Sequence, residues 1–133
     1  MNIFKKLLRK SDFDKPHFCK ITVECWYCTI FFSFGETFEE FKTHFKDEYK
    51  NKLDDYDTAS GYCVHLEDTY IIRMKNVPNT IHDLGILQHE IHHAITHILM
   101  DKGVKYTQSN HEAFAYMFGY VTEQIYSILQ KYK

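Results

Sequence analysis

Between His17 and Phe34 the chain is dominated by Ile, Val, Thr, Phe, Tyr, Trp and Cys and contains no Gly or Pro, a pattern that predicts one long strand or two shorter ones. Gly35 punctuates the run. Thr37 with Glu40 three residues on makes a capping-box pattern, and Phe38, Phe41, Phe45 and Tyr49 recur at helical spacing, so a helix is predicted over 37–52. The acidic stretch 54–57 and Gly61 read as a loop. Tyr62 to Leu66 and Tyr70 to Met74 are short strand-like runs joined around Glu67 and Asp68, a hairpin. Pro78-Asn79-Thr80 stops the second run. Thr80, with Asp83 three residues later, caps a helix from about Ile81 to Asp101, which Gly103 ends. Ser109 or Asn110 caps a last helix that continues to about Gln130. Strand, helix, two strands and two helices give an α+β layout, a short mixed or antiparallel sheet packed on helices.

On a helical wheel the third helix carries one aliphatic stripe, Leu84, Leu87, Ile91, Ala94, Ile95 and Ile98, with His89 and His93 near the opposite side. His82 and His97 share a second face with Ile86 and Met100, where His97 supports a site or packs beside it rather than binding directly. The last helix has an apolar face of Phe114, Phe118, Val121, Ile125, Ile128 and Leu129. Glu112 lies opposite that face, beside Ala115 and Gly119, small residues that favour close approach to the histidine-bearing helix.

Composition narrows the function classes. The 133 residues fit a single domain over 1–133, and 17% aromatic residues exclude a disordered chain. Sixteen basic against 18 acidic residues leave a formal charge of -2, so nucleic acid is not an expected partner. The basic start is followed by no apolar stretch of signal-peptide type, and no run approaches a membrane span, so a cytoplasmic location is expected. Ile3, Phe4, Leu7 and Leu8 within residues 1–15 are compatible with a short amphipathic helix or with a packed or frayed terminus. Cys25-Trp26-Tyr27-Cys28 is formally a C-x-x-C pair, but residues three apart on a strand point to opposite faces. Cys19, Cys25, Cys28 and Cys63 are therefore expected to be reduced, buried structural thiols.

The chemistry concentrates in Leu87-Gln88-His89-Glu90-Ile91-His92-His93-Ala94, an H-E-x-x-H pattern. Positions four apart on a helix lie ~40° apart in azimuth and ~6 Å apart along the axis, so the His89 and His93 imidazoles can converge on one metal ion. Glu90 beside them can reach a metal-bound water and act as general base. With nine His in the chain, a random order would show the pattern about 4% of the time, so its position on a capped helix opposite an aliphatic stripe carries much of the argument. The other reading is a solvated histidine-rich face.

A catalytic zinc usually takes three protein ligands and leaves one position for water. With eighteen residues between, His93 is followed by Glu112, in Ser109-Asn110-His111-Glu112-Ala113-Phe114-Ala115-Tyr116. At this point the sequence resembles the gluzincin branch of the zincin metallopeptidases, and is especially similar to small metallopeptidases that many phages encode. The resemblance covers about residues 59–121. It implies a small zincin-like domain with one Zn2+ per chain held by His89, His93 and Glu112, and a peptide or protein substrate, in the host cytoplasm if the chain is phage-encoded. Glu112 also completes a capping box with Ser109, and His111 is an alternative ligand. Tyr116 is the first choice for an oxyanion donor and Tyr106 the second, with packing roles open for both. The acidic residue that larger members place one turn after the ligand Glu is absent, since Tyr116 stands there. The resemblance also implies that Tyr70 to Met74 is an edge strand pairing with extended substrate; the same run reads equally as a plain edge blunted by Arg73. The competing function is a zincin-like module that retains metal but serves binding or regulation.

Overall fold

The computed structural model describes residues 17–53, 59–67 and 69–131. The terminal segment 1–15 and the acidic stretch 54–57, both read above from sequence, lie outside the described residues. The run 17–34 folds as two strands, β1 (His17–Val23) and β2 (Cys28–Phe34), joined by a single 3-10 turn at Glu24–Trp26 and by Tyr27, whose φ of 50° closes the hairpin. They pair antiparallel, His17 against Phe34 and Val23 against Cys28. After β2 come α1 (Phe38–Lys42), α2 (Asp47–Lys50), β3 (Gly61–Leu66), β4 (Thr69–Met74), α3 (Ile81–Asp101) and α4 (His111–Lys131). The sheet order is β1-β2-β4-β3, with β2 and β4 parallel and the other pairs antiparallel. The domain is α+β with a mixed four-stranded sheet, as the pattern of elements predicted. Among the described residues no helix is long and apolar enough to cross a membrane.

The period of two along each strand divides the side chains between two helix layers. Ile30, Phe32, Phe34, Tyr70, Ile72 and Met74 face α3 and α4, where they meet Leu87, Ile91, Ala94, Ile95 and Ile98 of α3 and Phe114, Met117, Val121, Ile125 and Leu129 of α4. Ile71 faces the other way with Phe41 and Leu53, flanked by Phe31, Phe38, Phe45, Val64 and Leu66. The stripe predicted on α3 is buried throughout. On α4, Met117 takes a core position that aliphatic spacing alone passes over, while Phe118 and Ile128 are only partly buried. Ile91 is fully buried directly behind the histidines. Ile91→Ala is expected to destabilise the fold by about 2–5 kcal/mol, seen as a lower denaturant midpoint at unchanged slope.

Two sequence expectations change. The helix predicted over 37–52 is broken between Lys42 and Asp47. The Thr37 cap forms as expected, its hydroxyl accepting from the Glu40 N–H at 3.1 Å. After one turn, however, the backbone tightens to i→i−3 hydrogen bonds at Thr43, His44 and Phe45. His44 lies flat on Phe18, with ring centroids 3.9 Å apart, and its Nε2 lies 2.7 Å from the Glu36 carboxylate. Phe45 packs edge-on against Phe18, Phe31 and Phe41. Packing on the sheet therefore wins over helix continuation.

The second change concerns β4, which is interior and not an edge. The β1–β2 hairpin supplies a parallel neighbour, so Arg73 is buried instead of blunting an edge. It donates to the Glu36 carbonyl at 3.0 Å and lies over the Phe38, Phe41 and Tyr62 rings. The edge beside α3 is β3.

Candidate metal centre

The helix that carries the motif is well terminated. The Thr80 hydroxyl accepts from the Asp83 N–H at 3.0 Å, and the Asn79 N–H reaches the Asp83 carboxylate. At its far end Gly103, with φ 81°, donates to the Met100 carbonyl while the Val104 N–H bonds back to Leu99, a Schellman closure. Between these caps the buried stripe fixes the rotation of α3 and turns His89 and His93 outward, both exposed.

The two rings stand edge to face with centroids 4.7 Å apart, and their Nε2 atoms are 3.1 Å apart. Two nitrogens at that separation can both lie ~2.0–2.1 Å from a single ion, so the pair fits zinc. Glu90 differs from its neighbours in being only 6% exposed. Burial raises its carboxyl above the ordinary carboxylate value, and the two imidazoles partly offset this. A carboxyl biased toward holding a proton beside two imidazoles is what a general base that later acts as an acid requires.

The wall facing Glu90 comes from β3. The alternation of that strand sends Gly61, Cys63 and His65 toward α3, and Tyr62, Val64 and Leu66 toward the other layer. A Cβ on Gly61 would stand 2.8 Å from the Met74 sulfur and 3.0 Å from the Ile86 side chain, so glycine lets the strand approach α3. Ser60, Gly61, Ile81, His82, Gly85, Ile86, His89 and Glu90 together line an open cleft of about 600 Å³. Burial, with the Glu90 charge adding, pushes the Cys63 thiol up to about 12, and burial alone does the same for Cys19. All four cysteines are free, but of the expected burial only Cys28 shows it fully: Cys19 and Cys63 are partly buried, and Cys25 is exposed because it lies on the turn at the hairpin tip. Alkylation of native protein at pH 8, read by mass spectrometry, is expected to label Cys25 well before Cys19, Cys28 or Cys63.

The remaining candidates are placed less centrally. Glu112 sits in the first turn of α4, with its side chain 68% exposed and 3.9 Å from His111 Nδ1. Gln88 bonds Thr122 and Tyr126, and His92 lies near Phe118, so the helices run antiparallel. By that register Glu112 stands opposite about residue 99, ~9 Å or more than one and a half turns beyond His93 along α3. Among the described residues no three His, Cys, Asp or Glu side chains gather as a metal set. Ala115 and Gly119 do not form the helix seam: both are exposed, and a Cβ on Gly119 would meet nothing within 4 Å. Tyr116, 76% exposed, lines a separate groove with Val23, Glu24, Cys25, Trp26 and residues of its own helix, none of them from α3. Tyr106 is exposed and packs edge-on to Phe114. His97 is exposed and lies beside His65, 5.7 Å between ring centroids. Sequence reasoning passed over His65 and gave Cys63 only a structural role, although the alternation of β3 with Gly61 was a usable signal. No family model, curated protein or solved structure matches this chain.

Proposed function

We propose that the chain is a zinc-dependent hydrolase, most specifically a small metallopeptidase. The observation that carries this reading is the buried Glu90 carboxyl beside two outward imidazoles whose Nε2 atoms are 3.1 Å apart. His89 and His93 would hold the ion, with Glu112 as third ligand if the start of α4 shifts to bring its carboxylate across the ~9 Å that separates it from His93 along α3. Zinc, when bound, supplies a Lewis acid that acidifies water and polarises a carbonyl. Glu90 takes the proton of the attacking water on its carboxylate and returns it to the departing amine. Ile81, Ile86 and the glycines at 61 and 85 give the adjoining cleft a largely apolar wall that suits a side chain of the substrate. Edge strand β3 is the strand along which an extended peptide can align. The test is turnover of a quenched peptide library: cleavage that stops on chelation and returns with zinc supports the reading.

The exposed position of Glu112 favours a second reading, a metal-retaining module that binds or regulates a partner without hydrolysis. Chelator-sensitive cleavage of any peptide excludes it.

A further inference from the structure

Along the α3 face that borders β3, a second histidine cluster lies beyond the first. His65, near the end of β3, stacks flat on the buried Tyr70 ring at 4.6 Å with 6° between planes. Its Nε2 stands 2.9 Å from Asp101 Oδ2 and also meets the Glu67 carbonyl. The same Asp101 oxygen accepts from the Tyr70 hydroxyl at 2.6 Å. Two acceptors at Nε2 assign the proton of the neutral ring to that nitrogen and leave Nδ1 with a free lone pair. Stacking fixes the plane of the ring, and the carboxylate fixes its rotation within that plane. A carboxylate that accepts from one imidazole nitrogen while the other binds metal is the common outer support of a histidine ligand.

His97, exposed on α3, stands with its ring 5.7 Å from that of His65 and 30° from parallel. Rings that share an ion in a bent arrangement have centroids roughly 5–6 Å apart, given metal–nitrogen bonds near 2.1 Å. The Glu67 carbonyl and the Asp101 carboxylate add negative character. We propose that His65 and His97 form a second site for a borderline transition-metal ion, supported by Asp101 and open to water at its remaining positions. Imidazole donors with open positions favour Cu2+ and Ni2+ over Zn2+ where geometry does not decide. A bound ion there clamps the end of the edge strand to the last turns of α3. Both ligands lie outside the His89/His93 pair, so the proposal does not depend on the zinc reading.

The test uses the full chain carrying His89→Ala and His93→Ala, both exposed positions, so that the first pair contributes nothing. Titration with Ni2+ by calorimetry is expected to show one equivalent bound. Adding His97→Ala should abolish it, and Asp101→Asn should weaken it about 10–100-fold, the usual effect of losing an outer support. His82→Ala and His111→Ala are controls and should leave binding unchanged. No uptake in the double variant, uptake that survives His97→Ala, or equal losses in the two controls would each overturn the proposal. Circular dichroism of the His97→Ala protein separates loss of a ligand from loss of fold.

Discussion

Replacing Glu90 by Gln is expected to leave zinc bound and to lower peptide hydrolysis by about 10²–10⁴-fold, the usual contribution of a positioned proton-transfer group. The amide has nearly the same shape and stays in the same buried place, but it cannot take a proton from water. Metal content and kcat measured on one preparation separate the two effects: unchanged zinc with unchanged kcat sinks the mechanism. Metal-free protein gives a second readout. The folded-state pKa of Glu90 is raised chiefly by burial. For a carboxyl the sign is therefore inverted from the common case: the protonated form favours the fold, and stability is lost as pH rises from the unfolded value through the raised folded one. The Gln variant lacks this loss. Metal-free Glu90→Gln protein should melt above wild type at neutral pH, and the gap should narrow in acid.

Removing either imidazole should have the larger effect on metal. Loss of an outer support alone costs about 10–100-fold in affinity. His93→Ala, which deletes a direct ligand, should exceed about 100-fold in zinc affinity and abolish hydrolysis. Because His93 is exposed, its thermal unfolding without metal should change little. Competition with a chromogenic chelator measures the first quantity and calorimetry the second. Weak zinc binding with an equal loss of fold stability would point to a structural histidine. Glu112→Gln distinguishes the third ligand in the same assay: a role at the metal predicts a clear loss of affinity, whereas a cap or solvated glutamate predicts none.

The parts of the molecule legible in the sequence are those governed by local physics. The caps at Thr37 and Thr80, the stop at Gly103 and the aliphatic stripe of α3 all follow from contacts within a few residues, and each is present. From that stripe alone, the outward direction of His89 and His93 follows. What sequence could not supply depends on partners distant along the chain. The order β1-β2-β4-β3 puts β3, not β4, at the edge, because β2 finds β4 across more than thirty residues of chain. The break between α1 and α2 comes from Phe18 and Glu36 drawing His44 out of helical register. The position of Glu112 depends on how α4 rotates on its core, and Met117, a residue without aliphatic branching, takes part in setting that rotation. Burial of Glu90 is intermediate: it lies at the border of the stripe, and β3, which Gly61 lets come close to α3, supplies the facing wall of its cleft.

One measurement bears on the central claim most directly: diffraction at the zinc absorption edge from crystals of protein purified without added metal. A peak ~2.0–2.1 Å from both His89 Nε2 and His93 Nε2, with the Glu90 carboxylate outside direct bonding distance, is the result predicted here. A zinc-loaded protein whose peak lies elsewhere, with those two imidazoles still bonded only to one another, would contradict it.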